Sequence, residues 1–250
     1  MFPGLFPAFG SAEALPPLTG MVVWLKTPIA GLVDMDDLNS TTHLWLDSSG
    51  NGIDGVAPGG TNPKPIYHDN IVDGLPAVDF FTNEGTLISL VGFNAIATGW
   101  SGANIFYVLK LNADPPSALG AGISVMGTDG NPDFFPFNGD GHVYDGSFSN
   151  ARKDTGNPSV DLSLWHVYDI SSATNDWKNY FDNVQFFSTA TNTFVNNLSP
   201  FQEPSIGCNN GSIAFKGYMA EIIIYDHILD GTERTTLFSY FAARFPTIGL

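Results

Sequence analysis

The run GYMAEIIIYDHILDGTERTTLFSYFAARF, Gly217 to Phe245, carries an apolar strand directly into a capped helix. Ile222, Ile223, Ile224 and Tyr225 are β-branched or aromatic over a strand's length, too short for an independent helix and too uniformly apolar for a solvent-facing edge. This predicts a buried central strand. Asp230 offers a side-chain oxygen to the first helical turn and Glu233, three residues on, can reach back, so a helix is expected from about Gly231. Leu237, Phe238, Tyr240, Phe241 and Phe245 share a broad apolar face at helical spacing, and Pro246 stops the helix because it has no amide hydrogen to donate. That face must dock on the rest of the domain.

The remaining composition suits strands and turns. The 250 residues include 27 Gly, 17 Pro, 20 Asp and 20 Asn, all turn formers or residues depleted in strand interiors. Lys plus Arg total 9, which leaves few of the long, charged helix formers that cover surface helices. One all-β domain over residues 21–250 is expected, preceded by an extended arm over residues 1–20. A formal net charge of -16 would repel a phosphate backbone, so nucleic acid is excluded as an expected partner. No apolar run approaches the roughly 20 residues of a membrane span, and the N-terminus lacks the basic region and continuous apolar core of a signal peptide. Neither membrane insertion nor Sec export is expected. Cys208 is the single cysteine, which excludes an intramolecular disulfide.

Before the terminal block, strands are expected at Met21 to Leu25, His43 to Leu46, Ala77 to Phe81, Leu87 to Val91, Ile105 to Leu111, Ser124 to Met126, His142 to Tyr144, Trp165 to Ile170, Tyr180 to Phe187 and Ala214 to Tyr218. Between them, DSSGNGIDG at Asp47 to Gly55 is a dense turn: Gly50, Gly52 and Gly55 permit positive φ while Asp47, Asn51 and Asp54 can bond nearby amides. The arm MFPGLFPAFGSAEALPPLTG interleaves Pro and Gly with large apolar side chains, so it cannot pair regularly and needs another surface to cover it. Phe2, Leu5, Phe6 and Phe9 are its candidate assembly contacts. A partner subunit and the chain's own domain are both surfaces that could cover it.

Taken in order, WLDSSGNGIDG (Trp45 to Gly55), GLPAVDF (Gly74 to Phe80), IFYVLKL (Ile105 to Leu111), WHVYDI (Trp165 to Ile170) and the terminal block resemble concanavalin A-like, laminin-G-type jelly rolls. The resemblance implies a two-sheet antiparallel sandwich closed by a short C-terminal helix. Such domains serve as carbohydrate-binding modules, adhesion domains, glycan-cleaving enzymes and parts of bacteriophage virion proteins, and fold alone does not choose among them. The apolar arm and the lack of a catalytic constellation favour a capsid-decoration, head-fibre or tail protein at the virion surface, assembled in the host cytoplasm. Its expected partners are other virion proteins, further copies of itself and a host-surface glycan. A lectin-like carbohydrate-binding module is the alternative, and a glycan hydrolase or lyase the third reading.

Catalysis by the enzymatic branch would need two or three carboxylates converging on a sugar bond. There is no E-x-D-x-x-E run, only five Glu are present, and Glu221 within AEIIIY reads as a strand start or a buried hydrogen-bond anchor. A non-enzymatic role is therefore expected, with no catalytic residues. The loop DGNPDFFPFNGDGHVYD at Asp129 to Asp145 offers Asp129, Asp133 and Asp140 as calcium ligands, although Phe134 stands where an EF-hand needs Gly and no bidentate Glu closes the loop. Asx turns are the competing explanation. No other cofactor is expected.

Glycan binding needs exposed aromatic faces beside polar groups. Trp100, Phe134, Phe135, Phe137, Tyr144 and Trp177 are candidates, with Trp177, Phe135, Tyr144 and Trp100 the expected contacts and Trp177, placed in a hairpin among Asn and Asp, the foremost. The five His show no metal-binding spacing, and His43 and His166 fall in expected strands.

Overall fold

The computed structural model describes residues 15–27, 43–57, 65–80, 88–114, 133–137, 139–195, 204–209 and 213–250. Its frame is an eight-stranded antiparallel sheet. From one edge, Val184–Thr189, Asp176–Phe181, His166–Ala173 and Gly102–Leu111 follow one another, and Gly102–Leu111 pairs along the whole of Gly217–Tyr225. The other side of Gly217–Tyr225 is divided between two strands. Met21–Lys26 takes Glu221 to Tyr225, whereas Leu75–Asp79, itself paired with Ile66–Val72, takes Tyr218 and Met219. A register shift between Met219 and Glu221 marks the junction. Thr27 closes it, its hydroxyl pointing to the carbonyls of Pro76 (2.6 Å) and Ala220 (3.1 Å).

The expected central strand is buried on both faces, which explains why its sequence does not alternate. Ile222 and Ile224 face the interior of the sandwich with Ile105, Tyr107 and Leu109, while Ile223 and Tyr225 face the opposite side with Phe106 and Val108. The helix Gly231–Arg244 covers that second side through Leu237, Phe238, Tyr240 and Phe241. Its start is as expected: Asp230 accepts from the Thr232 and Glu233 amides, and Glu233 accepts from the Asp230 amide. The helix thus lies on the back of the large sheet, outside the sandwich proper.

The facing sheet is small, with Ser205–Ile206, Ile88–Leu90, Gly55–Ala57 and His43–Trp45 in that order. Its turn is structural. Asp47 accepts from the amides of Trp24 (2.9 Å), Ser49 (2.9 Å) and Ile53 (3.1 Å), Asp54 accepts from the Asp47 amide, and Asn51 donates to the carbonyls of Met21 and Val22. The loop therefore clamps the first strand of the large sheet to the small one. The all-β sandwich with a short C-terminal helix is as expected.

Three local expectations differ. Ala214 to Tyr218 divides, with Ile213–Ala214 paired to Cys208–Asn209 while Gly217 and Tyr218 begin the central strand. Tyr180 to Phe187 is not one strand, because Asp182 and Asn183 both adopt positive φ and turn the chain into a tight hairpin. The hairpin expected around Trp177 turns earlier, at Asn175 (φ 62°), which leaves Trp177 inside a strand. The expected strand Ser124 to Met126 lies outside the described residues, as do Phe2, Leu5, Phe6 and Phe9 of the arm. Of the arm's remainder, Pro17 and Gly20 lie against the end of the central strand: Tyr225 donates its hydroxyl to the Pro17 carbonyl (3.0 Å), and the Asp226 amide donates to Gly20 (2.9 Å).

His166 is built as a charged strut between a strand end and two loops. Its Nδ1 lies 2.6 Å from Asp182 Oδ2 and its Nε2 3.0 Å from the Asp161 carbonyl. Burial opposes the charge, but the hydrogen bond and charge of Asp182 outweigh it and hold the imidazole above its ordinary value. A group raised on folding stabilises fully below its unfolded pKa, about 6.5, and loses that contribution as pH rises through the folded value. Urea midpoints are therefore expected to fall from pH 6 toward pH 8, and to fall less in His166→Gln. An unchanged slope in the variant would refute the assignment.

Candidate functional site

Between Asp133 and Asp154 the chain lays a short antiparallel patch over one end of the sandwich. Phe134 and Tyr144 exchange backbone hydrogen bonds (2.8 and 2.9 Å), and Tyr144–Asp145 pairs with Lys153–Asp154. Strand alternation then separates two sets of side chains: Asp133, Phe135, Val143 and Asp145 are buried, whereas Phe134 and Tyr144 reach the surface. Phe137 joins them from the adjoining turn, held by its amide on the His142 carbonyl and by its own carbonyl on the Gly141 amide.

The surface set is an aromatic platform. The Phe134 and Phe137 ring centroids are 4.9 Å apart, Tyr144 meets both edge-on at 6.1 and 6.2 Å, and His142 stacks on Tyr144. The Arg152 guanidinium lies 4.9 Å from the Tyr144 centroid and 5.4 Å from that of Phe134. Carboxylates rim it. Tyr144 donates its hydroxyl to Asp140 (2.7 Å), Asp140 also accepts from the His142 amide (2.9 Å), and His142 Nδ1 lies 2.8 Å from Asp154. The hydrogen bond to Asp140 pushes the Tyr144 phenol up to about 12, so it stays a donor at neutral pH. The His142 amide and then the Tyr144 hydroxyl hold Asp140 below the usual carboxylate range. Flat apolar faces beside fixed donors and acceptors can cover the C–H face of a sugar and meet its hydroxyls.

Beside the platform's chain segment, a surface cleft of about 390 Å³ is lined by Asn150, Asn175, Ala190, Thr191, Asn192 and Thr193. Asn192 is its buried member: its amide donates to Ala173 and Ser172, and its oxygen accepts from Ser149. Asn150 stands two residues from Arg152, so one segment borders both platform and cleft.

Of the expected sugar contacts, Tyr144 alone sits in the platform. Trp177 is fully buried, the first inward residue of Asp176–Phe181, with its Nε1 donating to the Ser147 carbonyl (3.1 Å). The alternation of Trp177, Asn179 and Phe181 was the sign of this, overridden by the polar residues that precede it. Phe135 is also fully buried, 4.6 Å from the Tyr168 ring and 5.9 Å from that of Phe181. Trp100 packs edge-on against Phe93 at the rim of the core. Trp177 and Phe135 are therefore core residues and cannot stack on a ligand. Arg152 went unmarked because nothing in its local sequence shows that it folds back over two rings. Of the expected calcium ligands, Asp140 is exposed and bound to its own loop, Asp133 is buried, and Asp129 lies outside the described residues. Among the described residues no group of three His, Cys, Asp or Glu side chains is placed to hold a metal ion, and no helix is long and apolar enough to cross a membrane.

No protein-family model matches the chain, and no curated protein matches it. Solved structures do. The Trypanosoma rangeli sialidase in complex with the inhibitor DANA aligns over 94% of this chain at 17% identity and TM-score 0.56; the chain spans 34% of the sialidase's length. Domain 4 of AbnA, a GH43 extracellular arabinanase from Geobacillus stearothermophilus solved with arabinotriose, aligns over 87% of this chain and 97% of its own, at 20% identity and TM-score 0.50. A receptor binding domain aligns over 89% of this chain and 51% of its own, at 13% identity and TM-score 0.53. At these identities the likeness is one of fold, and the expected jelly roll stands as a β-sandwich; a virion origin is not shown by it. The expectation of a non-enzymatic chain is overturned, because chains of this fold include sialidases and a domain of an arabinanase. The missing E-x-D-x-x-E run excludes one arrangement of carboxylates, not enzymes as a class.

Proposed function

We propose that this chain is a carbohydrate-binding domain whose ligand lies on Phe134, Phe137 and Tyr144. The observation that carries the reading is the half-buried three-ring platform at the surface, with Arg152 across it and Asp140, His142 and Asp154 at its rim. The likeness to an arabinanase domain solved with arabinotriose, and to a sialidase, supports a sugar as the ligand. A glycan array followed by calorimetry on the best binder tests it. Tyr144→Ala is expected to weaken binding about 10- to 100-fold, as for a central aromatic contact. Trp177→Phe is expected to leave the affinity unchanged. Equal affinity of the Tyr144 variant and the parent would sink the proposal, and assay of the same glycans for released product tests whether cleavage accompanies binding.

A second reading places this domain on a phage particle, presented to a host-surface glycan and joined to other virion proteins or to its own copies. The likeness to a receptor binding domain and the apolar, Pro-rich Met1 to Gly20 segment support it. Mass spectrometry of purified particles is the test; absence of the chain from them would remove the reading.

A further inference from the structure

On the back of the large sheet, beside the apolar cluster that the helix covers, five neighbouring strands bring a row of side chains into line. Lys110 and Tyr218 are cross-strand partners, as are Tyr218 and Asp79. Trp165 stands one residue before His166–Ala173 at the Lys110 end, and His68 of Ile66–Val72 meets Asp79 at the other, its Nε2 3.4 Å from Oδ2. With strands about 4.8 Å apart, the row is roughly 19 Å long. Trp165 and Tyr218 pack at the margin of the apolar cluster, each half-buried and so partly open to solvent.

Lys110 lies between the two rings, its ammonium 5.8 Å from the Trp165 centroid and 5.5 Å from that of Tyr218. Both distances are near the outer limit of a cation–π contact, unlike the 4.1 Å of Lys26 over Trp24, so the rings flank this ammonium rather than cap it. Tyr218 is fixed from its other side, edge-on to His68 at 6.2 Å and with its hydroxyl on Asp79. Lys216 precedes Tyr218 by two residues. The Asn112 amide on its carbonyl (2.9 Å) carries the pairing with Gly102–Leu111 that far, and strand alternation then sets Lys216 on the same side as Tyr218.

The charge of this row runs against that of the chain, which has 25 acidic residues and 9 Lys and Arg. Lys178, Arg234 and Arg244 are each joined to a carboxylate, whereas among the described residues Lys110 and Lys216 pair with none. The row's own carboxylate, Asp79, is 4% exposed and is taken up by His68 and Tyr218. What meets solvent is two ammonium groups and an imidazole among flat ring faces. Such faces can cover the C–H side of a saccharide, and the ammonium between them is placed for an anionic substituent.

We propose that this row is a second saccharide site, independent of the platform, and that it takes sugars bearing a carboxylate, whose anion meets Lys110 while their rings lie on Trp165 and Tyr218. Calorimetry of the full chain with oligogalacturonate and sialyllactose, each against its neutral counterpart, galacto-oligosaccharide or lactose, tests it. At least one acidic ligand is expected to bind about tenfold tighter than its counterpart, with the preference shrinking as salt rises, and the ligand preferred tells a uronic from a sialic acid. Lys110→Met, which keeps an apolar stem and removes the charge, is expected to abolish most of that preference. Trp165→Ala is expected to weaken the acidic ligand about tenfold, as for a stacking aromatic, and Tyr144→Ala to leave it unchanged. Should Trp165→Ala fail to fold, Lys216→Met takes its place, with a loss of about threefold expected and no loss counting against the site. Absence of any acidic preference, a preference undiminished in Lys110→Met, or its loss in Tyr144→Ala would overturn the proposal. The last of these would assign the acidic sugar to the platform.

Discussion

Glu221→Ala is expected to lower folding stability by about 3–5 kcal/mol, because it strands a buried guanidinium. Glu221 has no exposed surface. One carboxylate oxygen accepts from Trp24 Nε1 (2.6 Å) and from the Tyr240 hydroxyl (2.6 Å), while the other accepts from Arg244 Nε (2.9 Å). Arg244 also donates to the Thr27 carbonyl. One side chain thus joins the first strand of the large sheet, its central strand and the terminal helix. Burial pushes the carboxyl up and the Arg244 charge opposes it, so the pair holds only while both members are present. At about 2–4 °C per kcal/mol for a domain of this size, the melting midpoint should drop by roughly 10 °C or more. Denaturant titration is the check, and a loss under about 1 kcal/mol would show that the anchor is dispensable. Glu221→Gln, which keeps an acceptor for Trp24 and Tyr240 but sets a neutral amide against Arg244, should fall between parent and alanine variant.

Arg234→Met should cost a similar amount at pH 8 and distinctly less at pH 5. Arg234 grips Asp169 through both terminal nitrogens (3.0 and 2.8 Å), with its guanidinium 4.1 Å from the Tyr180 ring centroid. Asp169 is fully buried, and burial lifts its carboxyl to about 6 against the pull of Arg234. Because the folded value lies above the unfolded value of about 3.9, the group favours folding most below that value and loses its contribution as pH rises through about 6. Removing Arg234 lifts the carboxyl further, so at pH 5 Asp169 takes a proton and the vacancy is nearly neutral. At pH 8 a bare buried carboxylate is left. Urea melts of parent and variant at the two pH values decide the matter: a difference independent of pH would mean that Asp169 does not depend on Arg234 for its charge.

The terminal block was legible because its signals are local. A capping box lies within four residues, and a strand buried on both faces reads as an unbroken apolar run. Asp47, Asn51 and Asp54 were legible as turn formers for the same reason, and the isoleucine neighbours of Glu221 narrowed its role to a strand start or a buried anchor. Trp177 misled because polarity on one side of a residue says nothing of the direction in which a strand points it; that depends on whether the chain turns at Asn175 or two residues later. The platform was half visible. Tyr144, Phe134 and Phe137 stood among the aromatic candidates, but so did Phe135, and what separates them is the pairing of Phe134 with Tyr144. Arg152 depends on a third crossing of the chain, a relation between residues rather than a property of one.

The division of the central strand's second edge has a consequence in time. Trp24 and Glu221, bonded across that edge, are 197 residues apart in the chain. During synthesis the Met21–Lys26 segment, nearly all of it buried in the finished domain, emerges long before Gly217–Tyr225, the strand it pairs with. Closing so long a loop is slow compared with forming hairpins such as Asp176–Phe181 with Val184–Thr189, which can pair as they appear. Local hairpins therefore precede the long-range pairing, and an apolar strand stays open to mispairing until Gly217–Tyr225 arrives to capture it.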